Sequence, residues 1–134
     1  MITRDTQIRV RYGEVDRMGF LYHEHYVAYF DVARTEFIRS LGISNLEIEE
    51  EGIMLPVLNV TVDYKNPAYY DDVLTIRTTL KEMPSAKITF YFEVFRQTGE
   101  LITTGRVTLA FMNSVTKRAA RPPKKLLDIV AEYM

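Results

Sequence analysis

Five stretches of the chain alternate apolar and polar residues, which is the pattern of half-buried β-strands. The first stretch runs from Thr6 to Tyr12. The other four follow Met54, at about residues 58–64, 74–80, 88–95 and 101–111. The junctions MPSA and QTGE between the later stretches are short and turn-like, which favours antiparallel neighbours. The pattern predicts one strand near the N-terminus, followed later by a run of four strands.

The apolar spacing changes to three or four residues between about His23 and Leu41, which predicts one long helix ending at Gly42. Its repeating apolar positions are Tyr26, Phe30, Ala33, Phe37 and Leu41. Because apolar residues cover most of its circumference, we expect this helix to be largely enclosed by protein. A short polar helix or capped turn is predicted after Ser44, its N-cap. Residues after Pro123 are expected to form a short helix or a tail.

These elements predict a single α+β domain over residues 1–134, in which a curved, largely antiparallel sheet wraps round one long helix. The outer face and the edge strands of such a sheet would remain uncovered. Self-association through them is therefore expected, and the protein is predicted to be a homo-oligomer built as a dimer of dimers.

The composition narrows the classes of protein that the chain can represent. It has 134 residues, a formal net charge of −1 and no cysteine. The lack of cysteine excludes disulfides, thiolate nucleophiles and sulfur-ligated metals. The charge indicates no nucleic-acid partner, and no apolar run approaches the ~20 residues of a transmembrane segment. Because the N-terminus also lacks the apolar core of a signal peptide, a cytoplasmic protein is expected.

Candidate chemistry is concentrated in YGEVDRMGFLYHEHYVAYF, residues 12–30, which contains both histidines of the chain. On a helix His23 and His25 point about 200° apart. Together with Glu24 they are also short of a full ligand set for zinc, so no metal site is predicted. A serine nucleophile is not favoured either, because the chain has no G-x-S-x-G motif.

Asp16 is the leading catalytic candidate, because it lies in a loop just before the predicted helix. Unpaired N–H groups and the helix dipole at that end would polarise a substrate carbonyl. A nearby carboxylate could attack the carbonyl or activate a water. The alternative is that Asp16 only caps a turn or the helix start. A solvated or capping role is favoured for Glu14, and a hydrogen-bonded role at the helix start for His23 alone.

Basic residues cluster near the C-terminus, within nine positions: Lys117, Arg118, Arg121, Lys124 and Lys125. They could bind the phosphates of a cofactor-sized ligand. An exposed tail that keeps the protein soluble is an equally open interpretation.

The stretch RVRYGEVDRMGFLYHEHYVAYFDVARTEFIR resembles the signature of the hotdog-fold acyl-CoA thioesterases of the 4-hydroxybenzoyl-CoA and Tol–Pal-associated types. VDYKNPAYYDDVLTI and FEVFRQTGELITTG are similar to later passages of that family. The resemblance implies a hotdog fold, a five-stranded antiparallel sheet wrapped round one central helix. It also implies hydrolysis of an acyl-CoA thioester to a free acid and CoA. The CoA moiety belongs to the substrate, so no separate cofactor is expected.

The resemblance also assigns roles to individual residues. Asp16 matches the catalytic carboxylate, as a nucleophile or a general base, and His23 matches the position beside the thioester. The oxyanion and substrate-binding positions are Gly19, Tyr22, Glu24, His25 and Tyr26. His25 replaces an asparagine found in many relatives. The candidates for CoA phosphate contacts are Lys87, Lys117, Arg118 and Arg121.

Three other activities remain as alternatives. An acyl-ACP thioesterase would use the same chemistry on a different carrier. A hydratase would need an acid–base pair, and no matching His/Asp helix motif is present. A non-catalytic subunit would bind acyl thioesters without releasing a thiol.

Overall fold

A five-stranded sheet and one long helix form the centre of the protein in a computed structural model, which describes residues 1–134. The helices are α1 (His25–Ser40), α2 (Asn45–Glu50) and α3 (Lys124–Tyr133). The strands are β1 (Ile2–Arg9), β2 (Ile53–Met54), β3 (Val57–Tyr64), β4 (Val73–Leu80), β5 (Lys87–Phe95), β6 (Leu101–Ala110) and β7 (Met112–Asn113).

The large sheet has the order β1-β4-β5-β6-β3, with every neighbouring pair antiparallel. This confirms the predicted sheet. Side chains alternate between the two faces, so that Leu74, Ile76 and Leu80 of β4 are buried against the helix. The two-residue strands β2 and β7 form a separate ladder that the sequence did not predict, because so short a strand has no alternation to read.

The first strand was predicted too far along the chain. It begins at Ile2 and ends at Arg9, which pairs with Val73, the first residue of its antiparallel partner β4. Tyr12 was expected on the buried face, but it starts a 3-10 turn and is 76% exposed. The alternation of apolar and polar residues continues to Tyr12, but β4 offers no pairing partner beyond Arg9.

Helix α1 lies across the concave face of the sheet and buries the predicted apolar positions. The ring of Phe30 stacks on that of Phe92 at 4.4 Å, and burying a side chain of this size contributes about 1.5–3 kcal/mol. The ring lies so close to the sheet that a Cβ at Gly105 would overlap it. The opposite face of α1 is open, with Val32 47% exposed, so the expectation of a largely enclosed helix is wrong for a single chain.

The remaining helices agree with the sequence. Gly42 follows the end of α1 with a φ of +87°, a conformation that glycine adopts readily. The Ser44 hydroxyl accepts a hydrogen bond from the Glu47 N–H at 3.1 Å, which confirms it as the N-cap of α2. Residues after Pro123 form α3 rather than a tail, and its Leu126 and Val130 are buried. None of the helices is long and apolar enough to cross a membrane.

Candidate active site

The loop that carries Asp16 is a tight reversal between β1 and α1. Val15 and Leu21 form an isolated antiparallel bridge, and the Asp16 N–H donates to the Phe20 carbonyl at 2.8 Å. Gly19 closes the turn with a φ of +82°, in the left-handed region that a side chain disfavours. The backbone conformation of this turn therefore favours glycine at position 19, and Gly19 shapes the loop.

The two carboxylate oxygens of Asp16 differ in their contacts. Oδ1 accepts hydrogen bonds from the N–H groups of Met18 at 2.8 Å and Phe20 at 3.2 Å. Oδ2 has no hydrogen-bond partner within the protein. Both sequence interpretations thus describe part of the geometry, because one oxygen caps the turn and the other is available to a ligand.

The start of α1 presents free backbone donors. The His25 N–H donates to the Tyr22 carbonyl at 3.1 Å, and the Tyr26 N–H donates to the His23 carbonyl at 3.4 Å. The N–H groups of His23 and Glu24 donate to no acceptor, and no side chain caps this helix. With the positive end of the helix dipole at the same place, they form a site for a negatively charged oxygen.

A pocket of about 320 Å³ joins these features. Asp16 and His23 both line it, which brings the two predicted catalytic residues to one cavity. The remaining lining residues are Met18, Phe20, Leu21, Tyr26, Tyr64, Lys65, Asn66 and Pro67. A mainly apolar cavity with a few polar groups is the usual form of a small-molecule site.

Glu14 anchors the loop from below and is only 7% exposed. Its carboxylate accepts hydrogen bonds from the Arg11 N–H and the Tyr29 hydroxyl, both at 2.8 Å, and pairs with the Arg11 guanidinium at 3.2 Å. Burial opposes its ionisation, but these bonds outweigh burial and hold the pKa of Glu14 below its ordinary value. Glu14 is therefore a buried capping residue, in line with the capping role favoured from the sequence.

Asp72 anchors the segment on the other side of the pocket, between β3 and β4. It accepts hydrogen bonds from Arg96 Nε at 2.9 Å, from Gln97 Nε2 at 2.8 Å and from the Tyr69 N–H at 2.8 Å. Burial again opposes ionisation, and the bonds from Arg96, Gln97 and Tyr69 nevertheless lower the pKa of Asp72. This cluster fixes the segment whose Ala68 carbonyl accepts from the Leu21 N–H at 2.8 Å.

The other predicted substrate-binding residues surround the helix start, and of these Tyr26 alone lines the pocket. The Tyr22 ring lies 4.4 Å from the His23 ring and 6.2 Å from the His25 ring. Gly19, Glu24 and His25 lie next to the pocket without lining it. Their predicted roles in substrate binding stay predictions.

The predicted CoA-binding residues lie at the other end of the sheet. Lys87 pairs with Ala110 of β6, whereas Tyr64 beside the pocket pairs with Thr103 of the same strand. At about 3.3 Å per residue this separates the two ends by roughly 23 Å. Lys117, Arg118 and Arg121 follow β7 near that far end, where Lys117 Nζ lies 3.8 Å from Met54 Sδ. A single chain does not bring these four residues, hereafter the basic cluster, to Asp16.

The sequence interpretation missed four pocket residues at the end of β3 and just after it: Tyr64, Lys65, Asn66 and Pro67. Tyr64 was predicted only as a strand residue, and no site role was predicted for Lys65, Asn66 or Pro67. The pairing of β3 with β6 brings the four residues to the helix start. The strand–KNP–strand passage was the available signal. No group of three or more His, Asp or Glu side chains is arranged to hold a metal ion.

Comparisons with known proteins give the same family as the resemblance. The family model described as the thioesterase-like superfamily matches residues 10–130. The acyl-CoA thioester hydrolase YbgC of Escherichia coli is 30% identical over 126 residues, 94% of this chain and 92% of its own. The putative acyl-CoA thioesterase YneP of Bacillus subtilis is 32% identical over 95 residues, 71% of this chain and 69% of its own.

A solved structure extends the agreement to the fold. The crystal structure of the DHNA-CoA thioesterase from Staphylococcus aureus matches with a TM-score of 0.91 and 33% identity, over 99% of this chain and 89% of that one. The hotdog fold implied by the sequence resemblance is confirmed. The chain belongs to the thioesterase-like superfamily.

Proposed function

We propose that the protein hydrolyses acyl-CoA thioesters in the pocket between the Asp16 loop and the start of α1. The sequence-based assignment to thioester hydrolases is confirmed by the family match and by relatives named as acyl-CoA thioesterases. One observation carries the proposed site. Asp16, which has a free carboxylate oxygen, lines the same pocket as His23, which has a free N–H at the helix start, and the next residue, Glu24, also has a free N–H.

The free N–H groups of His23 and Glu24 would stabilise the oxyanion. When a thioester carbonyl is attacked, negative charge develops on its oxygen, and donors already in place lower the energy of that state. No side chain of the protein competes for these donors. The substrate carbonyl oxygen is therefore expected at the start of α1.

Asp16 would supply the attacking oxygen or activate water. As a nucleophile, it would form an anhydride with the acyl carbon while the C–S bond breaks and CoA leaves as the thiolate, and water would then cleave the anhydride. As a general base, it would remove a proton from a water that attacks the acyl carbon directly. The free Oδ2 supports either route, while the bonds to Oδ1 keep the carboxylate in one orientation.

His23 would position the acyl group or the water. Its ring lies at the pocket and packs against Tyr22 and Tyr64, at centroid distances of 4.4 and 6.3 Å. These ring contacts restrict the imidazole to one region of the pocket. The acyl group would contact the apolar lining residues.

A homo-oligomer would complete the CoA-binding side of the site. Strand β3 has an unpaired edge and is exposed on both faces, with Val57, Leu58, Val60 and Tyr64 among its exposed residues. The outer face of the sheet is mostly threonine and charged residues, which favours the β3 edge over that face as the contact.

Twofold pairing of β3 with a second copy would be antiparallel and would place the Val57 end of one strand beside Tyr64 of the other. The basic cluster lies toward the Val57 end, since the Ala110 N–H donates to the Pro56 carbonyl at 3.0 Å and Ala110 pairs with Lys87. The second copy would then bring its basic cluster toward the pocket and the phosphates of CoA. The dimer of dimers stays a prediction.

Light scattering coupled to size exclusion tests this assembly. We expect the wild-type protein to be a dimer or a larger even oligomer, and Val60→Lys to shift it to the monomer, because the charge lies at the middle of the β3 edge. Val115→Lys is the matched control, since Val115 is 85% exposed and is not part of β3. A monomeric wild-type protein would contradict the proposed oligomer.

Thiol release from a panel of acyl-CoA and acyl-ACP thioesters tests the activity and the carrier. We expect release from acyl-CoA substrates, detected with a colorimetric thiol reagent. Release from acyl-ACP alone would identify the alternative carrier. Binding of acyl-CoA without release would identify a non-catalytic subunit. The cytoplasmic location stays a prediction.

A further inference from the structure

Tyr64, the last residue of β3, contacts the start of α1 from across the pocket. Its hydroxyl donates a hydrogen bond to the His23 carbonyl at 3.1 Å. Its ring packs edge-to-face on Tyr26 at 5.3 Å and on the His23 imidazole at 6.3 Å. No other side chain forms a hydrogen bond with the backbone of residues 22–26.

The hydrogen bond fixes more than the carbonyl that accepts it. The His23 carbonyl and the Glu24 N–H belong to one planar trans peptide, so they point in opposite directions. Any contact that fixes the direction of the carbonyl therefore fixes the direction of the free N–H. Donation to the carbonyl also polarises the peptide, which makes its N–H a stronger donor.

Tyr64 is itself well placed to hold this peptide. Its backbone is part of the sheet, opposite Thr103 of β6, and the ring contacts restrict the phenol. The Tyr26 N–H reaches the same carbonyl only at 3.4 Å, so the phenol makes the shorter of the two bonds. Burial raises the pKa of Tyr64, which keeps the hydroxyl protonated and able to donate throughout the neutral range.

We propose that Tyr64 is a positioning residue for thioester hydrolysis, whose hydroxyl orients and polarises the His23–Glu24 peptide of the oxyanion site. This role rests on the proposed function. Tyr64 acts through the helix start and is not required to touch the reacting atoms. Its effect belongs to the transition state, because the oxyanion is where the N–H groups bind most strongly.

Tyr64→Phe removes the hydroxyl and keeps the ring, so it isolates the hydrogen bond. We expect kcat to fall about 3- to 10-fold, the effect of one hydrogen bond, with KM within about twofold of wild type. The melting temperature should stay within about 2 °C. Tyr133→Phe is the matched control, because Tyr133 is half-exposed on α3 and its hydroxyl has no hydrogen-bond partner.

A second measurement detects the hydrogen bond between Tyr64 and the His23 carbonyl without any substrate. In ¹⁵N–¹H spectra the Glu24 amide resonance should shift in Tyr64→Phe and stay in place in Tyr133→Phe. An unchanged kcat would overturn the proposal whether or not the Glu24 resonance shifts, and a fall in kcat with an unchanged Glu24 resonance would overturn the assignment of the effect to this peptide. So would a loss confined to KM, because it would make Tyr64 a simple substrate contact.

The two proposals fail in distinguishable ways. A wild-type protein that releases no thiol from any thioester contradicts the proposed function and, with it, the catalytic role of Tyr64. An active wild-type protein whose Tyr64→Phe variant has the same kcat contradicts the role of Tyr64 alone.

Discussion

Two kinds of carboxylate belong to the segments around the pocket, and they differ in how completely they are hydrogen-bonded. Glu14 and Asp72 are buried, and partners hold both oxygens of each. Asp16 is less buried, and only its Oδ1 is bonded. All three belong to the segments that build the site, so position in the chain alone does not separate them.

The difference separates a structural role from a chemical one. A carboxylate whose oxygens are all bonded stabilises the fold, and its bonds would have to break before it could react. A carboxylate held through one oxygen keeps its orientation and still presents the other to a substrate. Glu14 and Asp72 thus fix the two walls of the pocket, and Asp16 is left to act within it.

The largest expected effect is on the activity of Asp16→Asn. The amide keeps the size of the side chain and an oxygen for the two N–H bonds, but it is neither a nucleophile nor a base. We expect thiol release to fall about 10²- to 10⁴-fold while the melting temperature stays close to wild type. Asp128→Asn is the control, since Asp128 is an exposed residue of α3 with no hydrogen-bond partner, and it should retain full activity.

The next effect is on stability, in Asp72→Asn. Loss of the charge weakens the bonds from Arg96 and Gln97 in a buried position, so the free energy of unfolding should fall by about 2–3 kcal/mol. Urea denaturation measures this value. The neighbouring Asp71→Asn is the control, because its pair with Arg9 is exposed and should change stability by less than about 0.5 kcal/mol. Equal losses of unfolding free energy in Asp72→Asn and Asp71→Asn would contradict the structural role assigned to Asp72.

Acid should destabilise the protein through the same two anchors. The pKa values of Glu14 and Asp72 are lowered in the fold, below about 4.3 and 3.9 for unfolded Glu and Asp. As pH falls below about 5, the unfolded chain binds these protons first, so stability declines until the folded-state pKa values are passed. Melting temperatures between pH 6 and 3 should decline less steeply in the double variant Glu14→Gln/Asp72→Asn. If the melting temperature of the double variant declined with pH as steeply as that of the wild type, groups other than Glu14 and Asp72 would be responsible for the acid sensitivity.

The smallest expected effect is that of Tyr29→Phe, which removes one bond to Glu14. The Tyr29 hydroxyl is buried and donates at 2.8 Å, so its loss should cost about 1–1.5 kcal/mol in the free energy of unfolding. Tyr70→Phe should have no measurable effect, because Tyr70 is 55% exposed and its hydroxyl is unbonded. A larger loss in Tyr70→Phe than in Tyr29→Phe would contradict the anchoring role of Glu14.

The elements of the fold could be predicted from the sequence because each has a period of its own. Alternation identified β3 to β6, and a spacing of three or four residues identified α1. The predicted first strand was displaced because the end of β1 depends on where its partner β4 begins, and this pairing joins distant parts of the chain. The open face of α1 was missed because apolar residues such as Val32 can lie on an exposed face as well as a buried one.

The site could be predicted only where it is local in the chain. The Asp16 loop and the helix start lie within ten residues of each other, so one segment indicated both. Tyr64, Lys65 and Asn66 reach the pocket through strand pairing, which the sequence pattern does not specify. Lys117, Arg118 and Arg121 were recognised by their charge and Lys87 by the family resemblance, but neither signal specifies which end of the sheet these residues occupy.

The most direct measurement is substrate retention by Asp16→Asn. The variant and the wild type would each be mixed with an acyl-CoA that the wild type hydrolyses, and intact thioester and bound ligand would be followed by mass spectrometry and calorimetry. We expect Asp16→Asn to bind the thioester with a Kd close to the wild-type KM and to leave it intact. Hydrolysis at the wild-type rate would contradict a chemical role for Asp16, and loss of binding would make it a substrate-binding residue instead.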